Sequence, residues 1–147
     1  MTAAAVCAHI PEPMDLPLNT GPAASDAMDA GETPYRLRRP ARQTVPLVFA
    51  SPHSGRVYPL SFVASARLDA LALRRSEDSF VDELFAAAPG HGAPLLAASF
   101  PRVFCDVNRE PWELDPGMFE GPLPSWVNTA SPRVGAGLGT IARVVAS

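Results

Sequence analysis

The chain has 147 residues, 12 basic side chains against 15 acidic ones and a formal net charge of −3, and all 12 bases are arginine. That length is the expectation for one domain. A lysine-free, slightly acidic chain has no broad basic field with which to hold a nucleic-acid backbone, so no nucleic-acid partner is expected.

The first 42 residues are rich in Ala and Pro, with Pro11, Pro13, Pro17, Pro22, Pro34 and Pro40 breaking any helical or strand period. Residues 1–42 therefore read as a disordered or loosely docked arm. The last part, Tyr35 to Pro40, either forms a short edge strand or simply leads into the domain. The apolar run Ala3-Ala4-Ala5-Val6-Cys7-Ala8 is far short of the roughly 20 residues that cross a bilayer. It also follows no basic segment of the kind a secretory signal carries. No membrane span is expected, and the cytoplasm is the expected compartment.

Residues 43–147 read as the folded part. Val45-Pro46-Leu47-Val48-Phe49-Ala50 is a short apolar run closed by Ser51-Pro52, which suits a buried strand. The loop Ser51-Pro52-His53-Ser54-Gly55-Arg56 follows it, at a place where open α/β sheets put their chemistry. Leu68 to Leu73 reads as one or two helical turns. Ser79 to Ala88 reads as an amphipathic helix, because Phe80, Val81, Leu84, Phe85 and Ala88 share one face. Its cap is Ser79 with Asp82, or Ser76 one turn earlier, and Pro89-Gly90 ends it. Ala93 to Phe100 and Arg102 to Val107 read as neighbouring strands, Trp112 to Pro124 as a long structured loop, and Gly135 to Ser147 as the start of a strand. Two cysteines, Cys7 and Cys105, make neither a disulfide framework nor a thiolate zinc site. Cys105 is expected to be a small buried hydrophobe.

Three groups of residues can carry chemistry. His53 stands in a Pro-His-Ser-Gly turn where Gly55 lets the chain bend, and neutral imidazole is a common zinc ligand. The alternative is a surface histidine that caps a loop. Glu77 and Asp78 lead the predicted helix. Asp82 and Glu83 are explained by the helix dipole, but Asp78 lies toward the buried edge and needs a metal or an arginine as partner, with Glu77 as its substitute. Arg102, Asn108 and Arg109 bracket an apolar segment and suit an acidic small molecule, since the planar guanidinium pairs bidentately with a carboxylate. Their alternative is an internal ion pair, Arg109 with Asp106 or Glu110. His91, in Gly90-His91-Gly92, is expected in solvent, and His9 has no assigned role. No G-x-S-x-G elbow, phosphate-binding loop, dinucleotide fingerprint or H-E-x-x-H occurs. One histidine, one or two carboxylates and clustered arginines point to a metal-assisted hydrolase.

The ordered blocks Ser51 to Arg56 with Tyr58-Pro59, Leu73 to Asp78, Val81 to Leu84, Arg102 with Asp106 to Arg109, and Glu113 to Pro116 resemble the N-formylglutamate amidohydrolase family from about Leu47 onward. That resemblance implies an α/β fold, a phosphorylase/hydrolase-like mixed sheet flanked by helices, with Zn2+ at the strand ends. It implies hydrolysis of N-formyl-L-glutamate, or another small acidic N-acylated amino acid, as the last step of a histidine degradation route. By the same resemblance His53 and Asp78 are metal ligands. Asn108 and Arg109 resemble the pair that grips the substrate carboxylate in zinc carboxypeptidases. Arg102 orients substrate or stabilises the oxyanion, and Arg56 supports the His53 loop or contacts a carboxylate. Members of the family are longer, with a second zinc histidine and a general base beyond the position of Ser147. The expectation is therefore an N-terminal part, truncated at its C-terminus and of impaired or absent activity. The other expectation is a binding module for an acidic metabolite or a complementary chain.

Overall fold

Apolar runs on either side of a central helical stretch pair as strands. The structure, a computed structural model, describes residues 33–145, so most of the proposed arm, with Cys7 and His9, lies outside the described residues. Strands β1 (Tyr35–Arg38), β2 (Phe49–Ser51) and β3 (Leu95–Ala98) form one sheet in the order β1-β3-β2. β1 runs antiparallel to β3, with Tyr35 opposite Ala98, and β2 runs parallel to β3, with Phe49 opposite Leu95. The fold is thus mixed α/β with a small mixed sheet. The end of the proline-rich stretch takes the edge-strand option.

Between β2 and β3 lie three short helices, α1 (Leu60–Ser65), α2 (Ala70–Arg74) and α3 (Val81–Leu84), and a 3-10 turn at Ala88–His91. α1, which the sequence reading did not foresee, buries none of its residues. α2 matches the expected helix to within two residues. Its N-cap Asp69 accepts a hydrogen bond from the Ala72 N–H at 2.8 Å, satisfying one of the free donors of a first turn. His91 is exposed as expected.

Residues alternate across a strand, so Phe49, Ser51, Leu95, Ala97, Arg36 and Arg38 share one face. α3 covers that face: the Phe49 and Phe85 ring centroids are 5.3 Å apart, and Arg36 Nη2 donates to Asp82 Oδ2 at 3.0 Å. The opposite face carries Tyr35, Leu37, Ala50 and Leu96, all exposed. It borders an open, largely apolar groove of about 820 Å³.

Several expected elements take another form. The helix over residues 79–88 shrinks to Val81–Leu84, because Phe80 stands in the left-handed region (φ 65°) and no side chain caps the turn. Its faces are also exchanged: Asp82 is 4% exposed while Leu84 is 76% exposed. The cause is the Arg36 guanidinium, which draws Asp82 inward and supplies the partner a buried carboxylate requires. Residues 102–107 form a turn and an extended loop, not a strand. The Pro101 carbonyl accepts from the Phe104 N–H, and the Asp106 N–H is spent on the Thr140 carbonyl. Beyond them, Glu113 and Asn128 form an isolated bridge, a 3-10 turn spans Pro116–Met118, and α4 spans Pro132–Gly135. The strand expected from Gly135 is absent among the described residues: Gly137 has φ 77°, and its carbonyl accepts from both Arg143 and Val144, which closes a turn.

Candidate active site

β2 and β3 are parallel, so the loops leaving their carboxyl ends emerge side by side, the usual place for a site in an α/β sheet. The loop after β2 is held against the loop after β3. The Val57 N–H donates to the Ser99 carbonyl at 2.9 Å, and a Cβ on Gly55 would collide with the Phe100 carbonyl. Glycine is therefore required for the two loops to touch. The Ser51 and Ser54 hydroxyls, both buried, meet at 2.6 Å. This packing leaves one rigid turn from which the His53 imidazole projects inward, and the option of a surface histidine falls away.

His53 lies between two carboxylates. Its Nε2 is 2.8 Å from Asp106 Oδ1, and its Nδ1 is 3.2 Å from Asp78 Oδ2. The His53 carbonyl also accepts the Asp78 N–H at 3.0 Å, so backbone and side chain fix the same pair. Asp106 is the more heavily engaged acid. Its Oδ1 also accepts the Asn108 N–H at 2.9 Å. Its Oδ2 accepts Arg102 Nε at 2.9 Å and faces Arg109 Nη2 at 3.4 Å. Burial by itself would raise the Asp106 carboxyl, but the hydrogen bonds from His53 and Asn108 and the nearby positive charges outweigh it and hold the group below its ordinary value.

An ionised carboxylate has no proton to give. His53 Nε2 must therefore carry the hydrogen, and in the neutral ring the lone pair sits on Nδ1, facing Asp78. A lone pair and a carboxylate oxygen 3.2 Å apart repel unless a proton or a cation lies between them. That separation is close to the edge of a tetrahedron whose bonds are about 2.0–2.2 Å, the range for zinc with nitrogen and oxygen ligands. His53 and Asp78 thus fit a metal as two ligands, with Asp106 as the carboxylate that orients the histidine. Among the described residues no group of three or more His, Cys, Asp or Glu is arranged to hold a metal.

Asp78, Arg102 and Asp106 line a cleft of about 330 Å³, together with Arg75, Glu77 and an apolar wall that includes Leu138 and Val144. Glu77 is not the partner of His53. Its side chain is buried and accepts from Tyr58 Oη at 2.6 Å and Arg74 Nε at 3.2 Å. Tyr58 is in turn pushed well above the ordinary phenol range, chiefly by burial and then by that bond to Glu77.

The remaining sequence-derived site residues are not brought into the cleft. Arg56 donates to Glu83 Oε1 at 2.8 Å, lies 3.6 Å from Asp82 and stacks over the Phe80 ring at 5.3 Å. It braces the region between the His53 loop and α3. Asn108 borders the groove on the other sheet face. Arg109 has Nε on the Leu138 carbonyl at 2.9 Å, Nη1 on the Asn108 carbonyl at 2.7 Å and Nη2 near Asp106. The internal ion pair considered for Arg109 is the arrangement found, and it ties two loops together. Cys105 is partly buried, and that burial, with Asp106 alongside, raises its thiol.

Asp106 is the functional residue that sequence reasoning passed over as a site residue. Placed in a supposed strand, it had no reason to face His53, 53 positions away. The signal available was its spacing to two arginines and an amide, at Arg102, Asn108 and Arg109.

With this geometry established, comparison with known proteins is direct. The family model for N-formylglutamate amidohydrolase matches residues 45–147. A crystal structure of N-formylglutamate amidohydrolase from Ralstonia eutropha JMP134 is similar, with a TM-score of 0.68 and 41% identity, over 76% of this chain and 39% of that one. The match therefore spans well under half the length of that relative. No curated protein sequence matches it. His53, Asp78, Arg102 and Asp106 all fall inside the matched segment, and the chain belongs to the N-formylglutamate amidohydrolase family.

Proposed function

We propose that the chain takes part in the hydrolysis of N-formyl-L-glutamate to formate and L-glutamate. The observation that carries this reading is His53, fixed between Asp78 and Asp106, the two carboxylates that line a cleft together with Arg102. The family match and the name of the similar crystal structure support the substrate class, a small acidic N-acylated amino acid. His53 and Asp78 would hold Zn2+, which when bound polarises a carbonyl and makes hydroxide available near neutral pH.

The chain's own residues supply the rest. Asp106 keeps the His53 proton on Nε2 and so keeps the Nδ1 lone pair directed at Asp78, which lines the cleft. Arg102 has its Nε anchored on Asp106, which leaves the outer guanidinium nitrogens for a substrate oxygen. An anchored donor of this kind stabilises developing negative charge without reorganising. Arg109 and Arg56 hold the loops in place. In the wider reading, the reaction closes a histidine degradation route in the cytoplasm. Among the described residues no helix is long and apolar enough to cross a membrane.

A second reading, favoured by the absence of a third metal donor beside His53 and Asp78 among the described residues, is binding of the acidic metabolite without turnover, alone or with a complementary chain. One experiment separates the two. Formate release from N-formyl-L-glutamate is followed with the 147-residue chain and Zn2+, before and after chelation and in His53→Ala. The hydrolase reading expects release that chelation and His53→Ala both abolish. Absence of release, with unchanged binding after chelation, establishes the second reading instead.

A further inference from the structure

We infer that Arg75 is the specificity-determining residue of this cleft, the cation that takes the side-chain carboxylate of the acidic ligand. The inference rests on the proposed substrate class and deepens it, because it names the side chain that makes the site prefer an acid. It starts from the charges that line the cleft.

Glu77, Asp78 and Asp106 are the acids there, and Arg75 and Arg102 the bases. Glu77 is engaged by Tyr58 and Arg74, Asp106 by His53, Arg102 and Arg109, and Asp78, facing the bare Nδ1 of His53, is the proposed metal ligand. Every acid is thus assigned to a protein group or to the metal. Arg102 has given its Nε to Asp106. Arg75 is different: among the described residues no carboxylate lies within ion-pair distance of it. Its neighbour Arg74 takes the nearby acid, Glu77, and this leaves Arg75 uncompensated on the wall of a small cleft.

The local fold holds it there. Arg75 is the C-cap of α2, its N–H donates to the Ala72 carbonyl, and its backbone is in the right-handed helical region. The chain then turns directly into Ser76, Glu77 and Asp78 along the same wall. A ligand whose acyl group meets Asp78 and Arg102 therefore has Arg75 within the same 330 Å³. The sequence favoured Arg109 for this task. Its three guanidinium nitrogens are occupied by Leu138, Asn108 and Asp106, so it has no fork to offer. A guanidinium without a counter-ion is the group that binds a carboxylate most strongly, through two charge-assisted hydrogen bonds.

The test measures binding of N-formyl-L-glutamate and of its isostere N-formyl-L-glutamine, which keeps the α-carboxylate and replaces the side-chain carboxylate by a neutral amide, by NMR titration of the full 147-residue chain with Zn2+. Wild type, Arg75→Gln and Arg75→Lys are compared. The expected result is a preference of about tenfold or more for the acid in wild type, its collapse in Arg75→Gln, and partial recovery in Arg75→Lys, which keeps the charge but not the fork. A preference that survives Arg75→Gln overturns the inference and leaves the substrate class standing. A wild type that binds both equally overturns the inference alone, and one that binds neither compound defeats the proposed substrate class and the inference with it. Arg75 is exposed, so the variants should fold like wild type, and unchanged amide spectra away from the cleft will show it.

Discussion

Asp106 has three kinds of donor on one carboxylate: an imidazole, a backbone N–H and guanidinium groups. Together they make it an obligate acceptor, and this fixes the tautomer of His53. Ring 15N shifts of His53 in the metal-free chain, above the pH at which imidazole protonates, should report hydrogen on Nε2 and a bare Nδ1. In Asp106→Ala the one carboxylate left beside the ring among the described residues is Asp78, 3.2 Å from Nδ1, and the hydrogen should move to that side. A wild-type ring with hydrogen on Nδ1 would refute the assignment by itself, whether or not the variant folds. The loss of Asp106 should also cost about 3 kcal/mol, the lower part of the range for breaking a buried ion pair, since Arg102 keeps partial access to water. His53 was legible in the sequence because turn chemistry is local: Pro52, Ser54 and Gly55 surround it in one loop. Asp106 was not, because its contacts with His53 and Thr140 join distant segments.

At the scale of elements, strand periodicity worked where both neighbours of a strand are present and failed where a single long-range charge contact decided the outcome. β3 is the central strand, and the apolar run Ala93 to Phe100 located it within two residues at each end. The run from Val45 to Ala50 yielded only β2, with Leu47 and Val48 exposed, since apolar content does not say where pairing begins. The apolar stripe of the helix after Asp78 predicts that this face meets the core, whereas Arg36, on a strand over 40 positions earlier, draws Asp82 inward instead. The two faces of β3 make a test of the resulting picture. Leu95 is 2% exposed and Leu96 is 39% exposed. Leu95→Ala should therefore destabilise the protein by about 2–5 kcal/mol, whereas Leu96→Ala should stay within about 1 kcal/mol, as a partly solvated side chain loses little burial. Urea unfolding of the two variants checks this. Equal losses would mean that the second sheet face is covered.

Across the whole molecule, the loop from Arg102 to Arg109 is the tie between the sheet and the irregular segment that follows it. The Asp106 N–H reaches Thr140, Arg109 reaches Leu138, and the Asp106 side chain reaches back to the loop after β2. Residues beyond Gly121 have no strand among those described, so these links and the Glu113–Asn128 bridge hold that segment in place of a ladder. Stability should then follow the ionisation of Asp106. Its carboxyl is held below the ordinary value of 3.8, so the unfolded chain binds a proton there at a higher pH than the folded chain does. Where the unfolded state holds more protons, stability rises with pH. The contribution is complete above the ordinary carboxyl range and is lost as pH falls through the lower, folded value. Urea midpoints measured from pH 7 down to pH 3 should show wild type losing this increment at the acidic end. Asp106→Asn, which lacks it at every pH, should start less stable at pH 7, and its gap from wild type should narrow as acid is added. A gap that stays constant across that range would mean that the Asp106 charge does not contribute to holding the segments together, and that neutral hydrogen bonds at Asn108 and Thr140 suffice.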